Sequence, residues 1–209
     1  MEYSFAITPR FHETKIDKLI SVEEKYYKFF SQYKTIINLI PYSISFLDKY
    51  FEINKPQAII FAGGYRLYTN EIRDFEYNVM RIALNKKIPI LAICCGMWTV
   101  NGYYNGTLKF NEKHQGLEGD NINLKRMIHF VEAESFIDNG IYKVNSFHSK
   151  VIDKLGDNLE VFLKSEDGEI EGVYNLDNKI LGVQFHMENK GVEQHLTNQI
   201  MKKFYSFID

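Results

Sequence analysis

Cysteine is almost absent from this chain, which has two, Cys94 and Cys95, side by side. Neighbouring residues rarely meet disulfide geometry, so a framework of structural disulfides is excluded. Two adjacent thiols without histidines at ligand spacing also fail to make a closed zinc site. What remains is a buried thiol or a reactive one. Proline is scarce too, with 4 residues in 209 against 16 Phe and 14 Tyr. That ratio suits a packed, strand-containing fold and not a disordered chain. Long apolar runs are missing: Ala58–Ala62 and Ile88–Cys95 are the longest, and both fall far short of a bilayer. The start lacks a basic stretch followed by an apolar one, so no signal peptide is expected and the protein is expected in the cytoplasm. The net charge is −2 with both signs mixed along the chain. A nucleic-acid partner therefore finds no electrostatic footing.

No repeat, low-complexity tract or linker interrupts the sequence, and residues 1–209 read as one domain. Phe5–Thr8 and Thr35–Ile40 read as strands, with helices over Val22–Phe30 and Ser45–Phe51. Next comes Ala58–Ala62, a buried strand ending in Gly63-Gly64, and then Glu71–Lys87, a helix by the spacing of Ile72, Phe75, Val79, Ile82 and Ala83. Thr69 or Asn70 can cap it. Ile90–Ile93 follows as a second buried strand, and strand, helix, strand in that order builds a parallel sheet. Asn101–Gly119 reads as loop-rich. Beyond it Tyr142–Asn145, Glu160–Ser165, Ile170–Tyr174 and Ile180–Phe185 read as strands, and Val192–Phe207 as a closing helix. The expected architecture is α/β: a three-layer sandwich with a mixed, mostly parallel, flavodoxin-like central sheet and a nucleophile elbow at a strand–helix turn.

Three segments carry chemistry. Ile90–Trp98 runs a strand into a helix, with Cys94 at the turn and Gly96 two residues on. Such an elbow exposes a nucleophile, and a thiol at a helix N-terminus is drawn toward thiolate. The plain alternative is a core cysteine beside a tight turn. Leu181–Glu188 ends a buried strand in His186, with Glu188 two residues further; in an extended chain those side chains share a face, so Glu188 can orient the imidazole. Phe61-Ala62-Gly63-Gly64 places paired glycines at a strand end, where the Gly63 and Gly64 amides with that of Cys95 can form an oxyanion hole. His12, His114, His129 and His195 are scattered without metal-site spacing. No metal and no cofactor is expected. The aromatic pairs Tyr26-Tyr27, Phe29-Phe30 and Tyr103-Tyr104 read as core or edge packing, with a homodimer contact as an alternative.

Taken together, Ala92-Ile93-Cys94-Cys95-Gly96-Met97-Trp98 and Gly182-Val183-Gln184-Phe185-His186-Met187-Glu188 resemble the elbow Gly-Ile-Cys-Arg-Gly-Met-Gln and the tail Gly-Val-Gln-Phe-His-Pro-Glu of the class I glutamine amidotransferase-like superfamily, in its γ-glutamyl hydrolase (C26 peptidase-like) branch. Phe61–Gly64, Arg73–Glu76 and Val144-Asn145-Ser146-Phe147-His148 are similar to further motifs of that branch, with a weaker likeness near Ala6–Arg10. The resemblance implies a Cys94, His186, Glu188 triad and a γ-glutamyl thioester. It also implies that Trp98, Ser146, Phe147 and His148 contact a small γ-glutamyl metabolite. A γ-glutamyl-CDP-amidate of capsule polysaccharide synthesis is one such substrate. Ala92, Met187 and Trp98 depart from the pattern. Met187 in place of Pro implies a less rigidly held Glu188, and Trp98 in place of Gln argues against free glutamine. The alternatives are a glutaminase subunit feeding ammonia to a partner synthase, or a non-catalytic binding module of the same fold.

Overall fold

The computed structural model describes residues 2–13, 18–64, 69–114, 128–133 and 135–208. In chain order its elements are β1 (Tyr3–Ile7), β2 (Arg10–Glu13), β3 (Lys18–Ser21), α1 (Glu24–Ser31), β4 (Thr35–Leu39), α2 (Leu47–Asn54), β5 (Ala58–Phe61), α3 (Asn70–Lys86) and β6 (Ile90–Ile93). There follow α4 (Cys95–Tyr103), β7 (Thr107–Phe110), β8 (Ile128–Ala133), β9 (Ile141–Asn145), β10 (Lys150–Lys154), β11 (Glu160–Ser165), β12 (Ile170–Asn175), β13 (Ile180–Val183) and α5 (Gln194–Tyr205).

Among the described residues, nine strands form the central sheet in the order β4-β1-β5-β6-β13-β12-β11-β8-β9. From β4 to β13 each neighbour runs parallel, and from β13 to β9 each runs antiparallel. Strands β5, β6 and β13 are buried at every position, because helices cover both faces of the parallel half. Side chains alternate between those faces. Phe5, Ile7, Ala58 and Ile60 meet Tyr26, Phe30, Leu196 and Phe204 of α1 and α5. Ala6, Ile59, Phe61 and Ala92 meet Leu47, Phe75, Val79 and Met97 of α2, α3 and α4. The sheet is thus the middle of three layers, the α/β sandwich that the sequence implies.

Helix α3 shows how local signals set an element. The Thr69 side chain, and not that of Asn70, accepts the Ile72 amide at 3.3 Å. Ile72, Phe75, Val79, Ile82 and Ala83 then turn inward together. Lys87 adopts a left-handed φ of 54° and Pro89 follows, which ends the helix.

The same packing buries a carboxylate. Glu76 accepts a short hydrogen bond from the Thr99 hydroxyl of α4. Burial raises it from 4.5 to about 7, with Thr99 and Arg10 pulling the other way. Folding therefore tightens its proton. That contribution to stability is full below pH 4.5 and is lost as pH rises through about 7. Glu76→Gln is expected to flatten the decline, read as melting temperature across that window beside the unchanged protein.

Three expectations need correcting. The segment read as loop from Asn101 carries the end of α4 and strand β7, and its residues 115–119 lie outside the described residues. Helix α2 starts later and runs further than Ser45–Phe51, after a single 3-10 turn over Ile44–Phe46. The strand read as Ile180–Phe185 stops at Val183, and the next residue, Gln184, directs its side-chain amide at Cys94.

Candidate active site

Cys94, His186 and the Gly63-Gly64 pair sit just beyond the carboxyl ends of the parallel strands β6, β13 and β5, where open α/β sheets place their ligands. Cys94 follows β6. Its backbone has φ 53° and ψ −110°, a conformation that a side-chain-bearing residue holds only under constraint. The constraint is visible. The Cys94 amide donates to the Val183 carbonyl at 2.8 Å, while its own carbonyl accepts from Met97 at 2.9 Å and so opens α4. Helix α4 must also come close to β5: a Cβ on Gly96 would lie 2.2 Å from the Phe61 carbonyl oxygen. Only glycine fits there.

His186 stands on the segment leaving β13. The Asn145 side chain clamps its backbone twice, accepting the His186 amide at 2.9 Å and donating to its carbonyl at 2.8 Å. Nδ1 meets Glu188 Oε1 at 2.5 Å. Glu188 reaches it from a turn, with the Asn189 amide donating to the His186 carbonyl at 3.1 Å, and not along the extended segment that the i, i+2 spacing suggests. The Met187 side chain is buried in the core cluster that also holds Leu196, Ile200 and Phe204 of α5.

The thiol and the imidazole pack side by side against Gly63, close enough for each to shift the other's proton affinity. Burial works against the charge on His186, but Glu188 and Cys94 outweigh it and raise the imidazole from 6.5 to about 10. Burial likewise opposes Glu188, yet the His186 charge and hydrogen bond hold its carboxyl below the usual range. On Cys94 the neighbouring Cys95 thiol and burial push upward while His186 pulls downward. The Cys95 S–H donates to the Gly64 carbonyl at 3.0 Å. The balance leaves the Cys94 thiol raised above its ordinary range, with His186 pulling it back. A cleft lined by Arg10, Glu23, Lys25, Gly64, Phe147, His186 and Asn189 opens beside the imidazole.

Gly63 packs directly on both groups. A Cβ there would lie 2.6 Å from His186 Cε1 and 2.9 Å from Cys94 Cβ. Its amide, however, donates to the Tyr26 hydroxyl at 3.0 Å, which corrects its assignment to the oxyanion hole. The amides of Gly64 and of Cys95, first residue of α4, are left for that role.

A thiol on a strained strand–helix turn, facing an imidazole backed by a carboxylate, suits acyl transfer through a cysteine. Comparison with known proteins agrees. Residues 15–205 match the model of the family described as glutamine amidotransferase class-I. This chain is a class-I glutamine amidotransferase family member. It is 32% identical over 180 residues to the γ-glutamyl-CDP-amidate hydrolase of Campylobacter jejuni, covering 82% of this chain and 81% of that one. It is 28% identical over 158 residues to one subunit of the GMP synthase [glutamine-hydrolyzing] of Methanosphaera stadtmanae, covering 72% and 74%. The crystal structure of a glutamine amidotransferase from Thermotoga maritima superposes with a TM-score of 0.63 at 16% identity, over 99% of this chain and 84% of that one.

Within that family frame, the residues assigned to substrate binding divide. Phe147 lines the cleft, its ring edge-on to His186 at 5.8 Å. Ser146 and His148 do not line it. Both are buried, Ser146 Oγ donating to the His114 carbonyl at 3.4 Å and His148 Nδ1 meeting the Lys150 carbonyl at 3.1 Å. Alternation along an extended segment explains the split, since 146 and 148 share one side and 147 takes the other. Trp98 also needs revision. Its indole N–H donates to Gln184 Oε1 at 2.7 Å, and Gln184 Nε2 points at Cys94 Sγ at 3.7 Å. The indole thus aims a donor at the sulfur, an arrangement that favours thiolate. Trp98→Phe is expected to lower kcat about 2- to 10-fold, the worth of one net hydrogen bond. Its Cys94 alkylation profile should also shift to higher pH.

Three residues of the site escape a reading of the sequence: Tyr26, Asn145 and Gln184. Asn145 and Gln184 lie inside the matched motifs, so position is their signal; Tyr26 has none, since it comes from α1, whose pattern points to the core. His114 is not a loop histidine. Buried with His148 and Glu171, it places one ligand atom of each within 4.8 Å of the others, and Asp167 meets its Nε2 at 3.1 Å. These three side chains are a set that can hold a metal ion. His195 is exposed beside Asp138, and the side chains of His12 and His129 lie outside the described residues.

Proposed function

We propose that the protein is a cysteine hydrolase of γ-glutamyl amide-type bonds in small metabolites. The observation that carries this reading is the Cys94–His186–Glu188 grouping, with Nδ1 and Oε1 2.5 Å apart and the thiol and imidazole packed together against Gly63. Cys94 sulfur attacks the γ-carbonyl carbon as His186 takes the thiol proton. The Gly64 and Cys95 amides hold the resulting oxyanion. The carbon–nitrogen bond breaks, the nitrogen leaves with the proton from His186, and a γ-glutamyl thioester remains. Water, deprotonated by His186, then releases glutamate and returns the proton to the sulfur. No metal or organic cofactor enters these steps.

A phosphoramidate leaving group, as in γ-glutamyl-CDP-amidate, is favoured by the likeness to a hydrolase of that name over most of both chains. Incubation with a panel of γ-glutamyl phosphoramidates and γ-glutamyl amides is expected to release one glutamate per bond cleaved. The second reading is a glutaminase subunit, for which the likeness to a GMP synthase subunit speaks. Turnover of free glutamine only after a synthase is added, with none on the panel, would replace the first reading by the second.

No helix among the described residues is long and apolar enough to cross a membrane.

A further inference from the structure

Arg10 is a buried cation that the triad leaves unexplained. It opens β2, just beyond the end of β1, on the far side of β5 from the nucleophile strand. Its side chain is only 6% exposed. Nη2 donates to the Tyr26 hydroxyl at 3.2 Å and lies 3.6 Å from Glu23 Oε1, and the guanidinium sits 5.7 Å from the centre of the Tyr26 ring. Nε and Nη1 are buried and have no hydrogen-bond partner among the described residues. Burying such donors unmet is costly, and more so on a charged group, so the arrangement calls for an anion from outside the chain. Nη1 also comes so close to the glycine loop that a Cβ on Gly64 would lie 2.3 Å from it.

Position says which end of a substrate the anion belongs to. The leaving nitrogen must lie beside His186, because that imidazole protonates it. The rest of the leaving group then extends into the cleft that His186 lines, and Arg10, Lys25 and Gly64 line that cleft with it. Lys25 pairs with Glu23 at 2.6 Å, and Glu23 also faces Arg10, so two cations share that carboxylate. We propose that Arg10 binds the anionic oxygens of the leaving group, with Nε and Nη1 forming a two-pronged donor for a phosphoryl group. A planar guanidinium suits that ligand better than a point charge does. The proposal rests on the γ-glutamyl hydrolase reading and deepens it: the enzyme selects leaving groups that carry a phosphoryl charge.

The test compares kcat/KM on γ-glutamyl phosphoramidate and on a γ-glutamyl anilide, whose leaving group is neutral, for the unchanged enzyme, Arg10→Gln and Arg10→Lys. Arg10→Gln should lose about 10²-fold more on the phosphoramidate than on the anilide, as expected for charged hydrogen bonds. Arg10→Lys should recover part of that difference, and it carries the comparison if Arg10→Gln does not fold. Equal losses on both substrates would overturn the proposal, assigning Arg10 to the glutamyl end or to the fold, and so would no loss on either. Calorimetric binding of phosphoramidate itself separates this from failure of the hydrolase reading. Affinity should fall by a similar factor in the variant even if neither substrate turns over, and unchanged affinity overturns the anion site.

Discussion

Cys94→Ala is expected to lower turnover of a γ-glutamyl substrate by at least about 10⁴-fold, the scale on which removing a nucleophile silences a triad. The Cys94 sulfur is the elbow's nucleophile, since the adjacent Cys95 thiol is engaged by the Gly64 carbonyl. Removing one buried sulfur atom leaves the elbow's glycine contacts and both backbone bonds of residue 94 in place. The melting temperature should therefore move little while activity disappears. Alanine carries no donor, so the protein should still bind substrate without cleaving it. The measurement is steady-state glutamate release with circular dichroism melting beside it. Residual turnover within tenfold of the unchanged enzyme would remove Cys94 from the chemistry.

Glu188→Gln should cost about 10²- to 10⁴-fold in kcat, because its carboxylate both orients His186 and supports its charge. The raised value of His186, about 10 against 6.5, depends on that carboxylate. An imidazole with a raised value holds its proton more tightly folded than unfolded. Its contribution to stability is full below pH 6.5 and is lost as pH climbs through about 10. In Glu188→Gln the imidazole should titrate at markedly lower pH, and the alkaline loss of stability should shrink with it. Histidine proton resonances followed against pH would show this directly. A His186 titration unmoved by the substitution would mean that the two side chains are not coupled.

The elbow is legible from sequence because all its signals are local. Four apolar residues, a cysteine and a glycine two positions on define a strand, a turn and a helix start within Ile90–Trp98. The His186–Glu188 pair is legible for the same reason, although the turn that joins them is not. What escapes depends on contacts between distant stretches. Tyr26 reaches Gly63 across 37 positions, and His114, His148 and Glu171 come from three separate stretches of chain. Strand β7 pairs with β10 some forty residues later, so neither carries a partner signal in its own neighbourhood. Ser146 and His148 are misplaced by the motif because it fixes which residues are present and not which side of the segment each one faces.

The most direct measurement is mass spectrometry of the enzyme quenched in acid while it turns over a γ-glutamyl substrate. The expected result is a fraction of the protein heavier by one glutamyl group, with the added mass mapping to the peptide that contains Cys94. A glutamyl adduct on any other residue, or rapid turnover by protein whose Cys94 has been fully alkylated beforehand, would contradict the mechanism.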